Sequence, residues 1–149
     1  MNVTIKKEKQ VSEDVLNFLI DESFKLFVNL YHIDTDNILV LKRLKDELTL
    51  SYKYDILDNS FYTAYLGDEL VAVASINKDN YFQDLFVKSE YQNLGIGGML
   101  FDKVVSDNKR KKEITMTVNP KYLEFFKKHS FEVVSEEDKS IRMKGPIKK

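Results

Sequence analysis

Cysteine is absent from the sequence of 149 residues, and histidine occurs only at positions 32 and 129. Without cysteine the chain has no disulfide scaffold, thiolate nucleophile, zinc ribbon or iron–sulfur cluster. The two histidines lie far apart in sequence, so we expect no metal site. Any catalysis must therefore depend on backbone groups, hydroxyls or carboxylates.

Neither sign of charge is in excess, because 23 lysines and arginines stand against 24 aspartates and glutamates. Proteins that bind nucleic acid by neutralising phosphates are normally basic, so we expect no nucleic-acid partner. No apolar run approaches the roughly 20 residues of a membrane span. The N-terminal segment MNVTIKKEKQ has no apolar signal-peptide region. We therefore expect a reduced, cytoplasmic setting and no membrane contact.

Length and composition favour one domain over residues 1–149, since proline occurs only twice and no glycine- or serine-rich linker is present. A hydrophobic content of 43% suits a globular core rather than a disordered chain. The tail over residues 144–149 is expected to fray.

Hydrophobic periodicity predicts helices in the first third of the chain and mostly strands after it. Apolar residues at helical spacing indicate helices over 13–29 and 36–47, while 48–57 is open between a strand and an aromatic loop. The period then changes to two, which predicts a hairpin of strands over 60–66 and 69–76. Further predicted elements are a weak strand at 3–5, strands over 81–87, 114–118, 131–134 and 141–144, and helices over 96–108 and 120–129.

The order of these elements predicts an α/β (α+β) fold. The strand–helix–strand step over residues 81–118 requires a parallel crossover, whereas the hairpins on either side require antiparallel pairs. A mixed, mostly antiparallel sheet of six to seven strands follows, with about four helices on its two faces.

The informative segment begins at Asp84, where a buried strand, a polar link and a glycine-rich turn lead directly into a helix. The free N–H groups of a helix N-terminus form, with the dipole, an anion site suited to phosphate. The Walker A motif is absent, and the Rossmann fingerprint fails at its third glycine. In contrast, Gln92-Asn-Leu-Gly95-Ile-Gly97 satisfies the pattern Gln/Arg-x-x-Gly-x-Gly/Ala.

This segment resembles the acetyl-CoA site of the GNAT superfamily of N-acetyltransferases. A later segment is similar to the helix that comes after the acetyl-CoA motif in that family. This segment is Asn119-Pro-Lys-Tyr-Leu-Glu-Phe-Phe126-Lys-Lys-His-Ser-Phe131. The resemblance is specific over about residues 62–134. It implies a GNAT-like fold with a splayed parallel strand pair at the acetyl-CoA site. It also implies acetyl transfer from acetyl-CoA to an amine of a small molecule or peptide, in a monomer or homodimer.

The resemblance further implies a role for each matching residue. The pyrophosphate would lie on backbone N–H groups of residues 92–98, and the pantetheine arm would pair with residues 85–87. An N–H near Phe86 or Val87 would bind the thioester carbonyl, and the amine would attack it directly without a covalent enzyme intermediate. The implied cofactor-binding residues are Leu85, Phe86, Val87, Gln92, Asn93, Leu94, Gly95, Ile96, Gly97, Gly98, Asn119 and Phe126.

Three positions depart from the family pattern. Phe126 stands where the family often has a tyrosine that protonates the leaving thiolate, so Tyr122, about one helical turn earlier, is the substitute candidate. Ser130 stands where the family has a glycine, so its helix must end without the left-handed glycine that is usual there. Leu94 holds a position that is often basic, so pyrophosphate binding would depend more on amides.

The general base is not evident. Asp84 and Glu90 are candidates, and a chain of water molecules that carries the proton of the amine is the third alternative. Either carboxylate is also explained as ordinary surface charge. His32, with two aspartates nearby, is either part of an acceptor-binding or metal cluster or part of a polar loop. His129 either complements the negative end of a helix dipole or has a function.

Two other classes of function stay open. One is a GNAT-like module that binds acyl-CoA with little or no catalysis, which Phe126 favours. The other is a structural or regulatory interaction domain, which the glycine-rich turn disfavours, because three glycines within four residues would weaken a helix start without benefit.

Overall fold

The structure, a computed structural model, describes residues 2–147. It begins with strand β1 (Val3–Glu8) and helices α1 (Glu13–Leu30) and α2 (Ile38–Asp55). Then follow strands β2 (Ser60–Leu66), β3 (Glu69–Ile76) and β4 (Phe82–Val87), helix α3 (Ile96–Asn108), strand β5 (Ile114–Val118), helix α4 (Leu123–Lys128), and strands β6 (Glu132–Glu137) and β7 (Ser140–Gly145). Short 3-10 turns, Ser89–Tyr91 and Pro120–Tyr122, precede α3 and α4.

Helix α2 contains most of the segment that the sequence left open over residues 48–57. The prediction of a strand or an aromatic loop over these residues is therefore wrong. Helix α2 lies at the surface and buries only Tyr52, while Leu50, Tyr54 and Leu57 are 72%, 72% and 74% exposed. Apolar residues on the outer face of a surface helix hide its period, because they fill the positions that a polar face would occupy.

The strands form two antiparallel sheets, ordered β1-β2-β3-β4 and β5-β7-β6. They meet where Tyr81 and Thr115 form a parallel bridge, and the Thr115 N–H donates to the Asn80 carbonyl at 3.1 Å. The Asn80 side chain donates to the carbonyls of Asn108 and Lys112, both at 2.8 Å, which fastens the end of α3 to the start of the strand pair. The predicted mixed fold with a splayed parallel pair is confirmed.

Helices cover both faces of the first sheet. On one face α3 buries Phe101, whose ring lies 5.0 Å from that of Phe82 and 5.2 Å from those of Phe126 and Phe131. On the other face α1 and α2 pack against Phe61 and Val73 and bury a second apolar cluster. The first sheet, whose β4 edge borders the candidate site, therefore lies between two apolar cores.

Helix α4 ends in a Schellman motif, with the Phe131 N–H donating to the Phe126 carbonyl at 3.0 Å and the Ser130 N–H to the Lys127 carbonyl at 3.1 Å. Ser130 adopts a φ of 72°, so α4 ends without the family's glycine, as expected, but still with a residue in the left-handed conformation. The two hydrogen bonds and the burial of Phe131 impose this turn although serine replaces glycine.

Strand β7 includes Lys144 and Gly145, so these two residues are paired with β5 and are not part of a frayed tail. The pair Ile114–Gly145 extends the ladder one residue beyond the predicted strand end at Lys144. Residues 148–149 of the expected tail lie outside the described residues.

Candidate active site

The outer edge of β4 is open beyond the Tyr81 bridge, because β5 pairs with β7 instead. The Lys88 N–H donates to the Val71 carbonyl of β3 at 2.9 Å. Hydrogen-bonded and non-hydrogen-bonded pairs alternate along an antiparallel ladder, so Phe86 also directs its backbone groups to β3. The backbone groups of Leu85 and Val87 therefore point to the open edge.

The link after β4 is folded back onto the strand by Gln92, whose side-chain amide donates to the Val87 carbonyl at 3.1 Å. Two left-handed residues then turn the chain, Asn93 with φ 63° and Gly95 with φ 83°. Gly95 is the N-cap of α3, and its carbonyl accepts the first helical bond, from the Met99 N–H at 3.1 Å.

The N–H groups of Ile96, Gly97 and Gly98 precede that first bond and have no partner within the helix. Ile96 is buried and anchors the turn, whereas Gln92, Asn93, Leu94 and Gly95 are exposed. The site thus combines an exposed turn, a helix N-terminus and an open strand edge, which together suit a ligand with phosphates at one end and an extended amide chain.

Asn119 and Tyr122 lie where β5 passes into the 3-10 turn. The Asn119 side-chain oxygen accepts the Lys121 N–H at 3.0 Å and caps the turn. Tyr122 is 50% exposed, with the Lys121 ammonium 4.9 Å from its ring centroid. Phe126 is instead buried in the core against Phe101, so its role in cofactor binding stays a prediction.

Asp84 lies on β4, two residues before Phe86, and it faces α1 and α2. The residue is only 8% exposed, so its interpretation as ordinary surface charge is wrong. Tyr52 donates its hydroxyl to Asp84 Oδ1 at 2.8 Å, and Ser75 donates to Oδ2 at 2.6 Å. The Ser23 hydroxyl lies 2.5 Å from that of Tyr52, so four elements contribute to this buried polar cluster. Glu90, the other candidate base, is exposed.

Burial raises the pKa of Asp84 above that of an ordinary aspartate. The hydrogen bonds from Ser75 and Tyr52 favour the carboxylate and oppose this rise, while the negative charge of Asp55 adds to it. Burial, and then the charge of Asp84, raises the pKa of the Tyr52 phenol far above its usual value. The phenol therefore stays protonated and remains a hydrogen-bond donor to Asp84.

Ser23 and Ser75 were not predicted as site residues. A weak signal was present, because Ser23 falls between Ile20 and Phe27 on the apolar face of α1 and Ser75 interrupts the apolar run of β3. Polar residues at inward positions require buried partners. Which partners meet was not readable, since the residues are separated by up to 52 positions in sequence.

An open cleft of about 380 Å³ lies between the end of α1, the turn after β5 and the tip of the β6–β7 hairpin. His32, Asn119 and Asp138 are among its lining residues. His32 therefore faces a cleft rather than a metal site. Among residues 2–147 no group of three His, Asp or Glu side chains is placed to hold a metal ion. No helix in that range has the length and apolarity to cross a membrane.

Comparison with known proteins gives a family match over residues 42–143, to the model described as "Acetyltransferase (GNAT) domain". A search of curated proteins finds no significant match. The family match covers well over half of the chain and includes the glycine-rich turn, the open strand edge, and Asp84 with its partners Tyr52 and Ser75. The chain belongs to the GNAT acetyltransferase family, and the predicted family and enzyme class are confirmed.

Solved structures show the same fold. The chain is similar to PH1933 from Pyrococcus horikoshii, with a TM-score of 0.69, 18% identity, and 96% and 97% of the two chains covered. It is similar to the PaiA N-acetyltransferase from Thermoplasma acidophilum in complex with coenzyme A, with a TM-score of 0.67, 20% identity, and 97% and 98% covered. A Bacillus anthracis acetyltransferase structure holding acetyl coenzyme A aligns over 58% of this chain and 61% of that one, with a TM-score of 0.52 and 19% identity.

Proposed function

We propose that this protein transfers the acetyl group of acetyl-CoA to an amine by direct attack within a ternary complex. The observation that carries the proposal is the adjacency of the open β4 edge and the glycine-capped N-terminus of α3. Related structures that hold coenzyme A or acetyl coenzyme A support the choice of donor.

The donor would bind along the surface that runs from the helix to the strand. Its pyrophosphate would accept bonds from the N–H groups of Ile96, Gly97 and Gly98, which the helix leaves free. Its pantetheine amides would pair with the outward backbone groups of Leu85 and with the Val87 carbonyl. The thioester carbonyl would accept the Val87 N–H, since that of Phe86 is directed to β3.

The reaction needs one proton removed and one supplied. The amine lone pair forms the C–N bond, the C–S bond breaks, and its electron pair leaves with the CoA sulfur. Asp84 is our candidate to receive the proton from nitrogen, because burial raises its pKa and makes the carboxylate a stronger base. Tyr122 is our candidate to protonate the thiolate, since Phe126 has no proton to give.

The acceptor would enter through the cleft that His32, Asn119 and Asp138 line. This cleft adjoins the end of β5, on the side of the splay opposite the first sheet. Its lining carries both carboxylate and cationic groups, Asp138 and Lys139 among them. A small polar amine or a peptide amine would fit such a lining.

Two measurements test the proposal. Acetyl-CoA should raise the melting temperature, and a panel of small and peptide amines assayed for free CoA should contain an acceptor. No melting shift would reject CoA binding altogether. A shift with no CoA release from any amine would favour an acyl-CoA-binding module, the alternative that the buried Phe126 supports.

A further inference from the structure

We infer that Tyr52 is a positioning residue for the proton acceptor of this enzyme: its hydroxyl orients the buried Asp84 carboxylate and holds it ionised. The inference rests on the proposed function, because Asp84 is the proton acceptor proposed there. Tyr52 lies 32 positions away from Asp84 in sequence and belongs to α2.

The direction of each hydrogen bond follows from the donors available. Tyr52 has one proton and donates it to Asp84 Oδ1, so Ser23 must donate to the Tyr52 oxygen. Ser75 donates to Asp84 Oδ2. Every proton of the cluster therefore points toward Asp84, an arrangement that favours its charged form.

No cation balances this buried charge. None of the salt bridges within residues 2–147 involves Asp84. Besides Tyr52, the titratable group that acts on Asp84 is Asp55 of α2, whose negative charge opposes ionisation of Asp84. The Asp55 side chain accepts a hydrogen bond from the Gln83 amide at 2.6 Å. The two hydroxyl donors from Tyr52 and Ser75 are thus what stabilises the carboxylate against burial.

The same cluster also accommodates the protonated acid. When Asp84 has accepted a proton it can donate to the Tyr52 oxygen, and the Tyr52 hydroxyl can turn to the Ser23 oxygen. Asp84, Tyr52 and Ser75 then each keep a hydrogen-bond partner, and Ser23 becomes the acceptor of the Tyr52 proton. A phenylalanine at position 52 would fill the same space but remove this exchange.

Isotope-edited NMR of the aspartate carboxyl carbons, with Asp84 assigned by its absence from D84N, tests the inference without any acceptor. In Y52F the Asp84 titration should move to higher pH, and the ionised fraction at a fixed pH below the midpoint should fall on the order of tenfold. Y54F, on the exposed face of the same helix, should leave the titration unchanged. Y62F, which removes another buried tyrosine hydroxyl, should do the same.

An Asp84 titration in Y52F that coincides with the wild-type titration overturns the inference, as does an equal displacement in Y62F, which would indicate a general loss of packing. With an accepted amine from the panel, the acid limb of kcat/KM should move in the same direction in Y52F and not in Y54F. A panel without any accepted amine rejects the proposed enzyme, and with it the catalytic role of Asp84, while the NMR titration still decides whether Tyr52 controls its ionisation.

Discussion

The backbone of Gly97 lies against the side chain of Val87, so closely that a Cβ at position 97 would be 3.4 Å from Val87 Cγ2. The first turn of α3 is therefore in contact with the end of β4. The helix N-terminus and the open strand edge form one continuous surface, which is the geometry that a long ligand with a phosphate end requires.

Substituting glutamate at this contact should abolish acetyl-CoA binding. In Gly97→Glu the side chain and its negative charge would occupy the place of the pyrophosphate. Acetyl-CoA at a hundred times its Kd should stabilise the wild type by about 2.7 kcal/mol, roughly 5–10 °C in melting temperature. Ser106→Glu, on an exposed turn of the same helix, should keep that shift. A shift that persists in Gly97→Glu would mean that the binding site is elsewhere.

Removing the phenol of Tyr122 should slow acetyl transfer. Tyr122→Phe should reduce kcat by about 10²-fold if the hydroxyl protonates the leaving thiolate, with little change in acetyl-CoA affinity. The measurement is the pH profile of kcat with an accepted amine, beside the exposed Tyr54→Phe as a control. Unchanged turnover in Tyr122→Phe would reject this tyrosine as the acid.

The charge of Asp84 should make stability depend on pH. Its pKa is higher in the folded than in the unfolded state, so the folded state binds the extra proton more tightly. Its contribution is fully present below the ordinary aspartate pKa of about 3.9 and is lost as the pH rises through the raised value. Asp84→Asn removes this titration.

Urea unfolding of both proteins across that pH range measures the difference. The free energy of unfolding of the wild type, relative to that of Asp84→Asn, should fall as the pH increases. A difference that is constant with pH would show that Asp84 does not titrate above the ordinary value.

Replacing Ser130 by glycine should stabilise the protein by about 1 kcal/mol, because a left-handed backbone strains every residue with a Cβ. Ser130→Ala keeps the strain and should bring no such gain. The midpoint of urea unfolding at constant slope measures both variants. Equal midpoints for Ser130→Gly and wild type would contradict the proposed strain.

The elements from Ser60 onward were predictable because local signals there agree with one another. Strands Ser60–Leu66 and Glu69–Ile76 are rich in β-branched and aromatic residues and flank the Gly67 turn, and helix α3 begins directly at the glycine motif. Helix α2 was predicted only in part, since its outer face is apolar. A single exposed helix face was enough to hide the period on which such a prediction depends.

The phosphate-binding turn was also predictable, because its function depends on backbone N–H groups and glycines that are adjacent in the chain. Asp84 was predicted only as one of two candidate bases, with Glu90 as the other. Its burial, and hence the direction of its pKa shift, depends on Ser23, Tyr52 and Ser75, which come from three other elements.

The sequence by itself determined the family, the order of the elements and the glycine-capped helix that would hold the donor's phosphates. The lack of cysteine is compatible with the direct attack by an amine that the family resemblance implies. Only the tertiary structure decided which carboxylate is buried, which hydroxyls hold it, and which amides of β4 face the open edge. The physical reason is that neighbours in sequence dictate hydrogen bonds within a turn, whereas burial and charge stabilisation arise between residues that folding alone brings together.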